Sequence, residues 1–151
     1  MLRKKMPINK FLSNYSDWSV LFIRLGVGII FLVHGLGKLF NIGPAALGIA
    51  STAGYFESLG IPASLFFAWV VALVETIGGL FILLGLFTRA SALLVGIDIF
   101  VAIILVHIPN GFSVQNGGIE FPLLLFLGAI SLVFSGAGKK LALEKAIRQQ
   151  L

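Results

Sequence analysis

Four stretches of this chain stay apolar over lengths that suit a lipid bilayer and little else. They run from Val20 to Phe40, Leu65 to Leu86, Ala92 to Ile108 and Ile119 to Ser135, and a membrane-spanning helix takes about 17–25 such residues. In hydrocarbon every backbone N–H and C=O must be bonded within the segment, so each run is read as a helix. The punctuation fits. Trp18 precedes the first run as an interfacial anchor, Pro62 leads into the second, Pro109-Asn110-Gly111 stops the third, and Gly136 and Gly138 close the fourth. Composition rules out the alternative: charged residues make up 11% of the chain, against about a quarter in a soluble domain. The predicted fold class is all-α, an integral membrane four-helix bundle over residues 19–136, between a basic tail at 1–18 and another at 137–151.

Orientation follows from where the charges fall. Arg3, Lys4, Lys5 and Lys10 precede the first span, Arg89 lies between the second and third, and Lys139, Lys140, Lys145 and Arg148 follow the fourth. The connections Asn41 to Ser64 and Pro109 to Gly118 carry no Lys or Arg. Positive loops stay in the cytoplasm, so both termini are expected there. The net charge of +5 sits in tails rather than on a face that tracks phosphates, which points to lipid headgroups and excludes nucleic acid. The long first outer connection is expected to hold a short interfacial helix over Ser51 to Leu59. No cysteine is present, so thiolate chemistry and Cys-ligated zinc or iron–sulfur centres are excluded within the chain.

Ionisable residues inside the spans narrow the search for function, since a charge in hydrocarbon costs about 2.5–3.5 kcal/mol on insertion scales and normally faces the bundle interior. They are Arg24, His34, Lys38, Glu75, Asp98, His107 and Glu120. At a rise of about 1.5 Å per residue, Arg24 and Asp98 lie at similar shallow depths from the cytoplasmic end, Glu75 and His34 near the middle, and Lys38, His107 and Glu120 toward the outer interface. Depth therefore predicts three pairs: Arg24 with Asp98 as a structural ion pair, Glu75 with His34, and Lys38 with Glu120. Along the third span Asp98 and His107 stand about 180° apart, so a regular helix cannot aim both at one narrow cavity. Glu75, alone near mid-membrane in an apolar helix, is the leading functional candidate, with His34 and Lys38 beside it in catalysis. His34, Glu75, His107 and Glu120 form the expected ligand-binding set. No metal site is expected. Glycines within the spans, Gly28, Gly35, Gly78, Gly79 and Gly96 among them, allow helices to approach closely, as do the Ala68/Ala72 and Ala92/Gly96 pairs.

Several fragments in fixed order carry a family resemblance. Arg24-Leu25-Gly26 runs into His34-Gly35-Leu36-Gly37-Lys38-Leu39-Phe40, followed by Gly54-Tyr55-Phe56 and Leu59-Gly60-Ile61-Pro62. Val74-Glu75-Thr76-Ile77-Gly78-Gly79, Gly85-Leu86-Phe87-Thr88-Arg89, His107-Ile108-Pro109-Asn110-Gly111-Phe112 and Glu120-Phe121-Pro122 complete the set. Together they resemble the DoxX family of small four-span membrane proteins, over roughly Leu21 to Phe134. The resemblance implies a bacterial or archaeal cytoplasmic membrane and a subunit of a quinone-linked oxidoreductase, such as thiosulfate:quinone oxidoreductase, or of a redox-stress complex. A quinone is the cofactor so implied; haem held by His34 and His107 is the minor reading, because their nominal depths differ. Expected partners are the bilayer, a soluble or membrane redox partner, and further copies of the chain. Two other readings stand beside it: a non-enzymatic scaffold or assembly factor, and a small oligomeric transporter.

Overall fold

A computed structural model describes residues 15–148, and among these the chain is all helical, without strands. Helix α1 spans Ser16–Phe40, α2 Ile49–Ser58, α3 Ser64–Leu84, α4 Thr88–Ala102, α5 Glu120–Ser135 and α6 Leu143–Arg148. Helix α4 runs on through a π-helical turn at Ile103–His107 and a 3-10 turn at Ile108–Asn110. Three helices are long and apolar enough to cross a membrane: α1, α3, and α4 with its extension to Asn110; α5 is a shorter apolar helix. The basic N-terminal residues Arg3, Lys4, Lys5 and Lys10 lie outside the described residues.

The four long helices form a bundle whose outward side chains, such as Phe22, Ile29, Leu73, Ile97 and Leu124, are large and apolar. A soluble protein does not present such a surface; a bilayer removes it from water. Inside, Val27, Phe31, Ile82, Ala92, Val95, Ala129 and Leu132 make the core. Small residues set its spacing. A Cβ on Gly28 would stand 3.0 Å from the Gly79 carbonyl oxygen, and one on Gly79 would stand 2.9 Å from that of Gly28. Farther along the same crossing, a Cβ on Gly35 would overlap the Thr76 backbone. Helices α1 and α3 thus meet backbone to backbone, as close helix pairs in membranes do where glycines line up. Gly35→Val is expected to lower stability by about 1–3 kcal/mol through overpacking, whereas Gly26→Ala, whose Cβ meets nothing within 4 Å, leaves it unchanged. Unfolding in detergent measures both, and equal stability of the two variants refutes the close crossing.

At one end of the bundle, called the terminal end below, α1 begins and α5 finishes. Arg24 ties this end together. Its guanidinium is fully buried and donates to five carbonyls: Nε to Ile82 at 2.9 Å, Nη2 to Leu83 at 2.7 Å and Leu141 at 3.0 Å, and Nη1 to Ala137 and Lys140 at 3.0 Å each. Ile82 and Leu83 lie in the last turn of α3, whose carbonyls have no partner within the helix. Gly85, left-handed at φ 65°, ends that helix beside the guanidinium. Nearby, the Lys140 ammonium sits 5.4 Å from the centre of the Trp18 ring, and the Glu144 N–H donates to the Gly85 carbonyl.

The opposite end, the loop end, carries α2. The chain leaves α1 at Asn41 and turns so tightly that the N–H groups of Asn41, Leu47 and Gly48 all donate to the Gly37 carbonyl. That fold-back sets α2 across the loop end, with its own Thr52 and Ala53 buried. A second connection, 111–119, is tied by Ile119 N–H to the Gly111 carbonyl and Glu120 N–H to that of Phe112.

Candidate functional site

Toward the loop end the bundle encloses a cavity of about 370 Å³, walled by all four long helices and by α2. Its lining is mostly apolar, with Phe31, Val71, Ile99 and Leu125 among the walls, and the ionisable groups reaching it are His34, Lys38, Glu75, Asp98 and His107. Size and lining fit a small-molecule pocket, which takes about 300–1,000 Å³ with a few convergent polar groups in apolar walls.

Lys38 and Glu75 form its centre, with Nζ donating to Oε2 at 2.5 Å and side chains only 14% and 9% exposed. The glycine crossing brings their helices together, and helix geometry does the rest. A side chain leans toward the N-terminus of its own helix. Helices α1 and α3 are antiparallel, so Lys38 leans inward from the loop end while Glu75 leans outward to meet it. Asp98, from α4, lines the same cavity as Lys38 and Glu75. One ammonium and two carboxyls thus make a compact group able to hold a proton and pass it on.

Three expected pairings are replaced by others. Arg24 does not pair with Asp98; its five bonds go to backbone carbonyls. The helix crossings give the reason: Gly28 meets Gly79, which sets Arg24 beside the last turn of α3, while Gly78 meets Val95, which sets Asp98 about level with Glu75. Lys38 binds Glu75 instead of Glu120. His34 shares the cavity with Glu75, but the partner of Glu75 is Lys38. Glu120 stands outside the cavity lining, where its Oε2 accepts the Val114 N–H at 3.0 Å and orders the second connection.

His107 reaches the cavity through an irregularity. In the π turn the Ile108 N–H bonds the Ile103 carbonyl, five residues back, so the chain turns less per residue than in an α-helix. That change of phase lets Asp98 and His107 line one cavity despite their nominal opposition. The His107 Nδ1 lies 2.6 Å from the Gly117 carbonyl, a contact that requires Nδ1–H and fixes the ring's orientation. Asp98 as a member of the central group escaped sequence reasoning; the Thr88-Arg89-Ala90-Ser91 stretch, polar yet free of Gly and Pro, is the signal that would have lengthened its helix.

Comparison with known proteins agrees with this architecture. The family model described as DoxX matches residues 19–108. An uncharacterized membrane protein of Mycobacterium tuberculosis is 39% identical over 131 residues, covering 80% of this chain and 77% of that protein. A Bacillus subtilis protein described as "Putative oxidoreductase CatD" is 38% identical over 117 residues, 78% of each chain. The Escherichia coli inner membrane protein YqjF is 39% identical over 77 residues, 51% of this chain and 52% of its own. No solved structure matches.

Proposed function

Since the chain belongs to the DoxX family of membrane proteins, we propose that its cavity binds the headgroup of a quinone or quinol and that the chain is the membrane subunit of a quinone-linked oxidoreductase. The observation that carries this reading is the Lys38–Glu75–Asp98 group in an otherwise apolar intramembrane cavity. A quinone, if bound, would take up two electrons and two protons to become a quinol, which would give them back on reoxidation. Its ring suits apolar walls, and its two oxygens call for a hydrogen-bond donor and a group that exchanges protons. Lys38 supplies the donor. Glu75 and Asp98 accept or return a proton at their carboxyl oxygens, with His34 on the cavity wall as a second exchanging group. The neutral ring arrives without disturbing the buried ion pair, whereas a charged ligand would add its own desolvation cost.

The name of the Bacillus subtilis relative supports a redox role. In that setting electrons come from a partner protein, for which the basic tails and the outer connections are the available surfaces. The basic residues favour the bacterial cytoplasmic membrane with both termini in the cytoplasm, and the inner-membrane relative from Escherichia coli agrees with that compartment.

Purified protein in lipid nanodiscs tests the reading. A short-chain quinone is expected to raise the melting temperature saturably, as any ligand that binds only the folded state does, and Glu75→Gln is expected to abolish the shift. A preparation that carries no quinone in its lipid extract and shows no stabilisation by quinone or quinol would refute it. Retained partner assembly in Glu75→Gln, together with loss on tail truncation, would turn the reading to a scaffold; Glu75-dependent flux in proteoliposomes would turn it to a transporter.

A further inference from the structure

The seam between α1 and α5 is sealed over only part of its length. At the terminal end Val20 packs against Gly138, just beyond the end of α5, where an added Cβ would stand 3.1 Å away, and farther along Val27 packs against Gly128 of α5, where one would stand 3.0 Å away. Seven residues on from Val27, and so on nearly the same face of α1, is His34. Seven residues back from Gly128, on the matching face of α5, is Phe121. Because the helices are antiparallel, these two residues oppose each other about 10 Å beyond the last close contact. There the packing fails: His34 is exposed although Val27 and Phe31 on its face are buried, and Phe121 is 41% exposed. Both line the cavity, as do Ile30 and Leu125 between the contact and the gap. Above, α2 covers the loop end with its own Thr52 buried.

The geometry points to a lateral portal between α1 and α5, framed by His34 and Phe121, through which a lipid-soluble quinone enters the cavity from the bilayer and its polyprenyl tail remains in lipid. This rests on the quinone reading of the cavity and adds its route and the placement of the tail. The volume supports it. At about 370 Å³ the cavity lies at the small end of ligand pockets, enough for a ring but not for a ring and a long chain together. The tail gains nothing by leaving hydrocarbon for a pocket of similar polarity, so an opening toward lipid at the depth of the headgroup site is the arrangement its chemistry favours. His34, with an imidazole at the threshold, is the polar group that the ring passes first.

The cysteine-free chain allows a direct test. Phe121→Cys and Ile30→Cys each place a single thiol at the portal, and Leu124→Cys, whose native side chain is 67% exposed on the same helix, places one on the lipid face outside it. Labelling by a membrane-permeant maleimide in nanodiscs is followed with and without two ligands: a quinone bearing a polyprenyl tail, and the same ring without a tail. At ligand ten times its Kd, mass action leaves about a tenth of sites free. The tailed quinone is expected to slow labelling at positions 121 and 30 about tenfold while leaving position 124 unchanged, and the tail-less ring to slow position 121 far less at equal occupancy, judged by the melting shift. A tailed quinone that raises the melting temperature without protecting position 121 or 30 overturns the portal and leaves the headgroup site standing. Equal protection of position 121 by both compounds also overturns it, by showing that the ring alone fills the gap. If neither compound shifts the melting temperature of the unsubstituted protein, the headgroup reading fails and the portal falls with it.

Discussion

Replacing Arg24 with alanine is expected to cost the bundle about 3–5 kcal/mol, because several carbonyls lose their donor at once and each costs about 1–3 kcal/mol where it stays buried. That is a large share of the 5–15 kcal/mol of a typical folded domain. The substitution deletes five hydrogen bonds at once; the Ile82 carbonyl keeps the Gly85 N–H, while those of Leu83, Ala137, Lys140 and Leu141 lose their side-chain donor. Those nearest the bundle end recover some of the cost by hydration, so the full sum is not reached. Arg24→Lys should fall between, because an ammonium offers three donors from a point and not five from a planar fork. Chemical unfolding in detergent gives the size of the loss. Limited proteolysis gives its location: the segment 137–148 should become cleavable in Arg24→Ala before the rest of the bundle does. Wild-type stability with an equally protected segment would show that the clamp contributes nothing.

The second large effect is expected at Lys38. Lys38→Met removes the cation from the Glu75 and Asp98 carboxyls, and breaking a buried pair from one side costs about 3–5 kcal/mol. Glu75→Gln, made in the same background, should return most of that stability, since two neutral groups in place of a buried ion pair are often close to neutral in stability. The two substitutions are therefore expected to be strongly non-additive. Stability and ligand response should then separate: the double variant is folded, yet short-chain quinone no longer raises its melting temperature. Additive losses in the double variant would mean that the 2.5 Å contact does not couple the two side chains.

How much of this could be read from the sequence depended on how local each determinant is. Four apolar runs and the short helix over the first connection follow from pattern and length, which the residues themselves carry. That His34, Lys38 and Glu75 gather toward the interior also follows, because hydrocarbon leaves them few other places. Their pairing did not follow from depth counted at the Cα atoms. Counted from the ends of the apolar runs, Lys38 and Glu75 differ in depth by about 10 Å; the crossing that sets Gly35 against Thr76 removes most of that difference, and the opposed lean of side chains on antiparallel helices closes the rest. Asp98 was matched to the wrong partner because an apolar run is shorter than the helix that contains it: α4 begins at Thr88, with Arg89 reaching across to the Val133 carbonyl. The π turn at Ile103–His107 has no signature in five mostly aliphatic residues, and it alone brings His107 round to the cavity. The partners of Arg24 were beyond reach altogether. They are carbonyls, which every residue has, and three of the five are delivered by the segment that turns back at Gly136 and Gly138.

That last feature bears on how the protein comes into being. The guanidinium of Arg24 enters the membrane with the first helix made, yet three of its five acceptors are on residues synthesised more than a hundred positions later. Until Ala137, Lys140 and Leu141 arrive, the cation lacks three of the carbonyls that hold it in the finished fold. The clamp therefore ties the integrity of the earliest transmembrane segment to the completion of translation. A chain that ends before residue 137 leaves Arg24 with two of its five acceptors, Ile82 and Leu83.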